Sequence, residues 1–382
     1  MLPDNADVVV IGAGVIGASI AYQLAKRKLN VVVLEKSGFA SGSSGACGGT
    51  IFLQTKRPGI HLEMALQSAK RFLHLEEELA ANIEYQNNGG MIIIEHEDEM
   101  KSVQRSLELQ RNAGLEVSLL DQKQSRELEP SLNQMILGAT FSSMDAQVNP
   151  FFLTFALLKT AEIFGAKVYC NTRVTGIGKA SDRIHSVQTD KGDIETETIV
   201  NAAGVYAAAV GAMVDLDIPI KPRRGQLVVT EAVEPMIHHC ILSAQYIVAK
   251  FNPELVQQGG GVSIEQTFNG NFILGTTREF VGFNKCVTIE GMHHIINHVS
   301  AILPWIRQLS FIRAFAGLRP HTPDGLPILG RAPGLDGFII AAGHEGDGIA
   351  LAPITGELIA DLIVDNKTDP LMDAYKLERF SE

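Results

Sequence analysis

The feature that most constrains the fold lies in residues 7–35. A short β-branched run at residues 7–11 is followed by three glycines, Gly12, Gly14 and Gly17, and a second apolar run ends at Glu35. This order is typical of a strand–turn–helix–strand unit that binds a dinucleotide. The first glycine permits the tight turn, the second lets the backbone approach a pyrophosphate, and the third lets helix and strand pack closely. Glu35 can accept both ribose hydroxyls, and its charge disfavours a 2′-phosphate.

Composition excludes several other classes of protein. With 382 residues, of which 46% are hydrophobic and 20% charged, the chain is typical of a soluble globular protein with more than one core. A net charge of −11 argues against a nucleic-acid partner, which requires a basic surface. The four cysteines are widely scattered and form no Cys-x-x-Cys, so we expect reduced thiols, no metal centre in this chain and a cytoplasmic location.

An uncharged stretch at residues 8–25 is long enough to raise the question of a membrane span. Residues 3–7, which precede it, are acidic, whereas a signal peptide begins with basic residues. Glycines also interrupt the stretch at the dinucleotide-binding spacing. We therefore predict a buried strand followed by a buried helix, with no transmembrane segment.

The pattern of the remaining chain indicates two domains. Strand–helix alternation returns near residues 165–210 and at the end of the chain, whereas residues 225–286 alternate apolar and polar positions as antiparallel strands do. The expected fold class is α/β, or α+β with two domains: a discontinuous Rossmann-like domain and an inserted, mainly antiparallel domain. The expected cofactor-binding segments are 1–85, 145–215 and 316–382, and the expected substrate-binding segments are 86–144 and 216–315.

Local patterns predict individual elements. Strands are expected at residues 89–95, 138–142, 167–169, 197–201 and 244–248. Helices are expected at residues 15–28, 61–81, 97–129, 150–164 and 290–303.

Three further segments carry small residues where a cofactor would need space. Residues 42–46 read Gly-Ser-Ser-Gly-Ala, so they leave room for a pyrophosphate or a ring, and the serines can donate hydrogen bonds; a solvated loop is the alternative. Residues 317–330 begin Gly-Leu-Arg-Pro, and residues 341–349 read Ala-Ala-Gly-His-Glu-Gly-Asp-Gly-Ile.

Together these segments resemble the D-amino-acid oxidase family of FAD-dependent oxidoreductases, which includes glycine oxidase, sarcosine oxidase and the flavin subunits of heteromeric amino-acid dehydrogenases. The matching pieces are the N-terminal motif with Glu35, the serine–glycine loop, the run at residues 199–204 and the two closing segments, so they span nearly the whole chain. The resemblance implies a flavoprotein with non-covalent FAD. Some sarcosine-oxidase-like members attach the flavin through a cysteine just before the position of Arg319, but residues 315–318 contain none.

The resemblance also implies which residues bind FAD. Val174 would contact the adenine side through its backbone. The N–H groups of Gly346, Gly348 and Ile349 would lie beside the flavin pyrimidine at a helix start, where they stabilise negative charge at N1–C2=O; a plain glycine-rich helix entry is the alternative. The expected cofactor-binding residues are Gly12, Gly14, Val15, Ile16, Gly17, Glu35, Lys36, Ser43, Ser44, Gly48, Gly49, Val174, Ala202, Gly204, Gly317, Arg319, His344, Gly346, Asp347, Gly348 and Ile349.

Three residues are expected to bind the substrate. By resemblance to glycine oxidase, Arg319 would clamp the substrate carboxylate with two charge-assisted hydrogen bonds and so orient the Cα–H bond over flavin N5. Its alternative is an arginine paired with Asp324 or with backbone carbonyls. Tyr246 would face the substrate from a strand, or be an ordinary half-buried tyrosine. Arg278 would face the same cavity, or be a solvated hairpin arginine.

No catalytic acid or base can be named from the sequence. The resemblance implies that a neutral amine gives its α-hydride to flavin N5 and that the resulting imine hydrolyses in water. His344 and His321 would lie near the flavin, and His344 would tune it or line an access route. His293, His294 and His298 are expected on a surface helix, without a metal.

The implied activity is oxidation of the C–N bond of a small amino or imino acid of the proline, hydroxyproline, glycine, sarcosine or opine type. Residues 54–59, 259–263 and 344–349 are similar to flavin subunits of dehydrogenases, which pass electrons to a partner subunit carrying FAD, FMN or an iron–sulfur centre. We therefore expect an oligomer. A stand-alone glycine, sarcosine or D-amino-acid oxidase that reduces O2 to H2O2 is the alternative; glycine oxidase, however, has a bulky basic residue where residues 345–348 read Glu-Gly-Asp-Gly.

Two alternatives belong to other classes of protein. A nicotinamide dehydrogenase would share the N-terminal motif but would not explain residues 343–351. A flavin-holding assembly protein without chemistry would not need Arg319.

Overall fold

A computed structural model describes residues 1–251 and 260–380. The helices in these residues are α1 Val15–Lys26, α2 Ile60–Leu79, α3 Glu97–Asn112, α4 Gln122–Leu128, α5 Pro150–Ile163, α6 Ala207–Gly211, α7 Ala244–Phe251, α8 Ile289–Ile302 and α9 Gly348–Val364. The strands are β1 Val8–Ile11, β2 Val31–Leu34, β3 Thr50–Ile51, β4 Gly90–Ile94, β5 Ser118–Asp121, β6 Gly138–Ser142, β7 Ala146–Gln147, β8 Lys167–Tyr169, β9 Val174–Ala180, β10 Arg183–Thr189, β11 Gly192–Glu195, β12 Ile199–Asn201, β13 Lys221–Ala232, β14 Cys240–Ser243, β15 Ser263–Gln266, β16 Asn271–Gly275, β17 Phe311–His321, β18 Ile328–Arg331 and β19 Phe338–Ala342. Short 3₁₀ turns occur at Ser43–Gly45, Gly204–Tyr206, Ala212–Val214, Pro304–Gln308, Pro370–Tyr375 and Leu377–Phe380.

A six-stranded sheet with the order β18-β19-β12-β1-β2-β8 holds the N-terminal motif at its centre. Its neighbouring strands are parallel except for β18, which is antiparallel to β19. All residues of β1 and β2 are buried, which agrees with their continuous apolar sequence, since parallel strands are covered on both faces. Helices α1, α5 and α9 pack together on one face, and the three-stranded sheet β11-β10-β9 covers the other.

An eight-stranded sheet with the order β17-β13-β16-β15-β14-β4-β6-β5 forms the second layer system. The longest pairing joins β13 and β17 in antiparallel register, and α8 packs against this sheet over a separate apolar core. The mixed α/β fold class predicted from the sequence is confirmed.

Two local predictions are wrong. Residues 97–129 are not continuously helical, because Gly114, at φ +92°, follows α3 and the chain then forms β5 before α4. Residues 244–248 begin helix α7 instead of forming a strand, and Tyr246 and Ile247 pack against an apolar cluster around Phe52 and Ile92. Five residues are too few to distinguish a period of two from one of 3.6.

The uncharged stretch at residues 8–25 forms β1 and most of α1, as predicted. Within the described residues, no helix is both long and apolar enough to cross a bilayer.

Candidate functional site

The N-terminal glycines form a turn that no larger residue could adopt. Gly12 has φ +112°, and a Cβ atom there would lie 2.5 Å from the carbonyl oxygen of Ala202. A Cβ atom at Gly17 would lie 1.9 Å from the carbonyl oxygen of Gly12. The turn therefore depends on glycine for both its conformation and its packing.

The turn leads into the N-terminus of α1, which lies beside the serine–glycine loop. Gly14 occupies the N-cap position, and it has no side chain that could form a capping hydrogen bond. The backbone N–H of Val15 donates to Ser44 Oγ at 3.0 Å. The positive end of α1, including Ile16 and Gly17, is thus left without a capping carboxylate, as an anion-binding helix start requires.

Glu35 and Lys36 lie at the end of β2, next to the glycine turn. The carboxylate of Glu35 accepts hydrogen bonds from the N–H groups of Ala13 at 3.0 Å and Ser37 at 2.9 Å. The ammonium group of Lys36 lies over the ring of Tyr206. The two hydrogen bonds hold the Glu35 carboxylate at the edge of the sheet where the parallel strands end. Ala202 and Gly204 follow β12 at the same edge, and Val174 is buried at the start of β9.

The loop at residues 43–49 connects this edge to the eight-stranded sheet. Ser43 Oγ donates to the carbonyl oxygen of Leu318 at 2.5 Å. A Cβ atom at Gly317 would lie 2.2 Å from the carbonyl oxygen of Ala46, so the loop and β17 are in close contact. Gly48 and Gly49 lie at the end of this loop.

The start of α9 carries an aspartate that does not cap its own helix. Asp347 occupies the N-cap position but makes no side-chain cap hydrogen bond. Its carboxylate instead lies 2.8 Å from Lys56 Nζ and 3.3 Å from His61 Nε2, and all three side chains are buried. The start of α9, from Gly346 to Ile349, is therefore not closed by the adjacent carboxylate.

His344 is buried beside α9, where its Nε2 lies 3.1 Å from Thr355 Oγ1. Burial lowers the pKa of His344 to about 3, so the imidazole is neutral at physiological pH. It can offer a hydrogen bond near the start of α9 but no charge.

The residues at this edge fit FAD. Two helix N-termini without side-chain caps, a turn restricted to glycine and a fixed carboxylate at the end of β2 supply what a pyrophosphate, a flavin pyrimidine and a ribose need. A Cβ atom at Gly14 would approach Ser44 Oγ to 3.2 Å, so glycine keeps the space between the start of α1 and the serine–glycine loop open.

Arg319 lies on β17, the edge strand of the eight-stranded sheet. Its guanidinium group donates to Thr276 Oγ1 at 2.8 Å and to the carbonyl oxygen of Thr277 at 3.2 Å. Gly225 makes room for it, since a Cβ atom there would lie 2.3 Å from Nη1. Burial, then the like charge of Arg278, lowers the pKa of Arg319.

Asp324, the alternative partner of Arg319, instead forms an ion pair with Arg379 at 2.7 Å. The second alternative is realised in part, because Arg319 donates to one backbone carbonyl.

Arg278 and Tyr246 lie close to Arg319. The Arg278 side chain is only 6% exposed, so the solvated-hairpin alternative is wrong. Its guanidinium group lies 4.5 Å from the centroid of the Tyr246 ring and donates to Glu345 at 3.1 Å. A Cβ atom at Gly346 would be 3.7 Å from Arg319 Nε and 3.8 Å from the Tyr246 hydroxyl. The three predicted substrate-binding residues thus meet beside the start of α9.

Sequence reasoning missed four charged residues in this region, namely Arg223, Glu345, Lys56 and Glu265. Arg223 is buried and forms an ion pair with Glu345, and Lys56 is buried against Asp347. The fourth, Glu265, accepts a hydrogen bond from the N–H of Gly49 at 3.0 Å. The only signal for Arg223 was a pair of arginines within a strand-like run, and nothing local distinguished the other three.

Glu265 is buried against the serine–glycine loop. Burial raises its pKa to about 7. A Cβ atom at Gly48 would lie 2.8 Å from its Oε1 atom, so the carboxyl group closely contacts the loop. Burial, with Glu265 next, also raises the pKa of Cys47 to about 12, so that thiol is unreactive.

The three helical histidines lie on α8, as predicted. His294 Nε2 lies 2.8 Å from the carbonyl oxygen of Gly260, and His298 Nε2 lies 2.8 Å from Glu95. Residues 1–251 and 260–380 contain no cluster of His, Cys, Asp or Glu that could hold a metal ion. Gly259, part of the segment 259–263 discussed above, lies outside the described residues.

Known flavoproteins match this chain over nearly its whole length. The family model described as FAD dependent oxidoreductase (DAO) matches residues 7–362. Glycine oxidase from Geobacillus kaustophilus is 32% identical over 98% of this chain and 96% of its own length. Hydrogen cyanide synthase subunit HcnC from Pseudomonas protegens is 30% identical over 96% of this chain and 94% of its own. The crystal structure of L-proline dehydrogenase from P. horikoshii superposes with a TM-score of 0.91 at 30% identity, covering 99% of this chain and 98% of that chain.

Proposed function

Since the chain belongs to the DAO family of FAD-dependent oxidoreductases, we propose that it oxidises the C–N bond of a small amino or imino acid as the flavin subunit of a dehydrogenase. Substrates of the proline, hydroxyproline, glycine, sarcosine or opine type fit this proposal. It is supported by relatives that include a glycine oxidase, a proline dehydrogenase and a subunit of hydrogen cyanide synthase.

The observation that carries the proposal is the position of Arg319. Its guanidinium group is held by Thr276 and Thr277 and lies beside Gly346, at the start of α9. A planar guanidinium binds a carboxylate through two parallel hydrogen bonds, which fixes the orientation of the bound molecule. By binding the substrate carboxylate, Arg319 would therefore hold the adjacent substrate carbon at the start of α9.

When bound, FAD would supply the two-electron oxidant: a hydride would leave the carbon that carries the amine nitrogen, and the iminium ion that remains would lose its N–H proton to water to give the imine. The chain would supply orientation through Arg319 and would limit access of water through the half-buried Tyr246 and the buried Arg278. The carboxyl group of Glu265, with a pKa of about 7, is suited to hold a proton at Oε1 or Oε2 near neutral pH. Water then hydrolyses the imine outside the site.

An exposed apolar surface supports the subunit part of the proposal. Phe39, Phe151, Phe152 and Phe155 are 41–51% exposed, and the rings of Phe39 and Phe155 are 5.5 Å apart. This phenylalanine surface adjoins the serine–glycine loop, since a Cβ atom at Gly45 would lie 2.8 Å from the Phe151 ring. Exposed apolar surfaces of this kind commonly contact another protein. We assign it to the electron-accepting subunit, because the adjoining serine–glycine loop is expected to line the FAD site.

We also propose the domain division expected from the sequence. All strands of the six-stranded sheet fall within residues 1–85, 145–215 and 316–382, which would form the FAD-binding domain. The strands of the eight-stranded sheet fall within 86–144 and 216–315, apart from the second half of β17. That half carries Arg319, so β17 would link the two domains at the site.

The proposal is tested by the visible spectrum of the purified protein, mixed without oxygen with glycine, sarcosine, D- and L-proline, hydroxyprolines and opines. We expect one of these compounds to bleach the flavin and the colour to return slowly in air, because electrons normally leave to a partner subunit. The double substitution Phe152→Glu/Phe155→Glu should leave this bleaching intact and abolish co-purification with the partner.

Rapid return of the colour in air would instead identify a stand-alone oxidase of glycine, sarcosine or a D-amino acid, the second candidate that the glycine oxidase relative favours. A flavin that no amino or imino acid bleaches, in the presence of its partner subunit, would contradict the proposed reaction.

A further inference from the structure

The described part of the site contains more positive than negative charge. Arg223, Arg278 and Arg319 surround the single carboxylate of Glu345, whose Oε1 lies 3.1 Å from Arg278 and 3.9 Å from Arg319 Nε and also forms an ion pair with Arg223. We call these four residues the arginine cluster. All three guanidinium groups are largely or fully buried. Buried charges are costly unless they are paired, so one carboxylate for three arginines is an incomplete balance.

The neighbouring charged groups do not restore the balance. Lys56 and Asp347 compensate each other at 2.8 Å. Glu279 pairs with Arg224, which lies at the next position of β13 and points to the opposite face of the sheet. Burial, then the charge of Arg223, lowers the pKa of His321 to about 4, so this imidazole adds no charge at neutral pH. Among the residues described, the cluster thus keeps an excess of two positive charges.

Strand register makes the repulsion unavoidable. Arg223 on β13 and Arg319 on β17 are direct partners in the antiparallel pairing, so both side chains leave the same face of the sheet. Like charges directly opposite each other destabilise such a pair. One arginine would be enough to pair with Glu345 in a purely structural role. The two further arginines are better explained if anions bind to them.

Two buried donors in the cluster point to such an anion. Arg223 Nε and Arg278 Nη2 make no hydrogen bond to any described residue, although buried donors are normally satisfied. Aromatic rings cover the faces of both guanidinium groups, with Phe280 at 5.8 Å from Arg223 and Tyr246 at 4.5 Å from Arg278. Because the rings cover the guanidinium faces, the N–H groups along the guanidinium edges remain available for binding.

We propose that the substrate carries two carboxylates: Arg319 binds the one next to the reacting C–N bond, and Arg223 with Arg278 binds the second. This inference deepens the proposed function and rests on it. The substrate class is an amine with two acidic arms, such as an N-carboxyalkyl amino acid, an iminodiacetate or an amino dicarboxylic acid. Two carboxylates balance the two excess charges of the cluster, whereas glycine, sarcosine or proline would balance one.

The first test uses ligands that cannot be oxidised. The holoenzyme is titrated with acetate, propionate, malonate, succinate and glutarate, and the perturbation of flavin absorbance gives a dissociation constant for each. We expect one dicarboxylate length to bind at least about tenfold more tightly than the monocarboxylates, because hydrogen bonds to charged partners are strong. Equal affinities for all five ligands would overturn the proposal.

The second test uses variants of the second carboxylate site. Arg278→Met retains volume and removes charge, and we expect it to lower the ratio of dicarboxylate to monocarboxylate affinity by about tenfold or more. Arg105→Met, at an exposed position of α3, is the matched control and should leave the ratio unchanged. If Arg278→Met does not fold, Arg278→Lys keeps the charge but loses the planar fork, and the ratio should still fall. An unchanged ratio in the folded variant would mean that Arg278 only pairs with Glu345.

The same series separates this inference from the proposed function. Bleaching of the flavin by iminodiacetate, aspartate, glutamate or N-carboxyalkyl amino acids at lower concentrations than by glycine or proline would support both. Tight succinate or glutarate binding without bleaching by any amine would preserve the dicarboxylate site and contradict amine oxidation. Bleaching by proline or glycine at lower concentrations than by every dicarboxylic amine would preserve amine oxidation and overturn the second carboxylate site.

Discussion

The ammonium nitrogen of Lys56 lies 2.8 Å from Asp347 Oδ1, and both side chains are almost completely buried. Lys56 also donates to the carbonyl oxygen of Phe52 at 2.6 Å and to Thr55 Oγ1 at 3.1 Å. Asp347 therefore faces a fixed cation instead of the N–H groups of its own helix. The pair joins the segment after β3 to the start of α9 and so sets the position of the expected flavin pyrimidine site.

Neutralising only Lys56 should destabilise the protein more than neutralising both Lys56 and Asp347. Lys56→Met leaves the Asp347 carboxylate buried without its ammonium partner, and we expect the free energy of unfolding to fall by about 3 kcal/mol. The double variant Lys56→Met/Asp347→Asn should lose less, because no charge remains. Urea denaturation measures both. Lys123→Met, which removes an exposed pair with Glu127, is the control and should change stability by less than about 0.5 kcal/mol.

The buried carboxyl group of Glu265 should make stability depend on pH. Burial raises its pKa from 4.5 to about 7, so between these values the folded state binds more protons than the unfolded state. Stability from this group is therefore full below about pH 4.5, falls as pH rises and is lost above about 7. Glu265→Gln removes the effect, so its stability relative to wild type should rise by about 3 kcal/mol across that range. Denaturation at several pH values measures this difference, and the exposed Glu77→Gln is the control, which should follow wild type. If the stability of Glu265→Gln runs parallel to that of wild type across the pH range, the prediction is refuted.

Substitution of Arg319 by lysine should weaken substrate binding while keeping the positive charge. Lysine cannot form two parallel hydrogen bonds with a carboxylate, so we expect the apparent dissociation constant in anaerobic flavin bleaching to rise at least about tenfold. Arg105→Lys, on the exposed side of α3, is the control. Unchanged affinity in Arg319→Lys would show that the guanidinium group does not bind the substrate.

Glycine at position 17 should be required for FAD binding. Gly17→Ala places a Cβ atom 1.9 Å from the carbonyl oxygen of Gly12, so the turn and α1 must move apart. We expect the ratio of flavin to protein absorbance after purification to fall severalfold, since overpacking costs about 1–3 kcal/mol. Gly38→Ala, where a Cβ atom meets nothing within 4 Å, is the matched control. Full flavin content in both variants would contradict the role of the turn.

Acid precipitation should release the flavin into the supernatant. Residues 315–318 contain no cysteine, and the thiol of Cys47, beside the serine–glycine loop, is made unreactive by a pKa of about 12. A yellow pellet after precipitation and washing would demonstrate a covalent bond and refute this prediction.

The cofactor edge could be predicted from the sequence because its requirements are local. Gly12 and Gly17 are needed by a turn of a few residues, and β1 and β2 are recognisable from continuous apolar runs. Such signals need no knowledge of distant residues. Arg319, by contrast, was identified through the resemblance of its Gly-Leu-Arg-Pro segment to glycine oxidase.

The rest of the site depends on contacts between distant positions. Glu345 meets Arg223 across more than a hundred residues, and Lys56 meets Asp347 across nearly three hundred. No local pattern distinguishes these charged residues from solvated ones, so their burial could not be foreseen. Tyr246 lies near Arg278 and Arg319 but on helix α7 instead of the expected strand, because its short segment fits both helix and strand.

The strand order of the six-stranded sheet determines when the cofactor can be captured during synthesis. β1 and β2 leave the ribosome before the other strands of this edge: β12 begins 165 residues after the end of β2, β19 begins 304 residues after it, and α9 follows β19. The nascent chain therefore carries the glycine turn long before it can hold FAD. Because a ligand stabilises only the state that binds it, FAD cannot assist the early steps of folding. We therefore expect flavin incorporation to be a late event that follows the docking of α9.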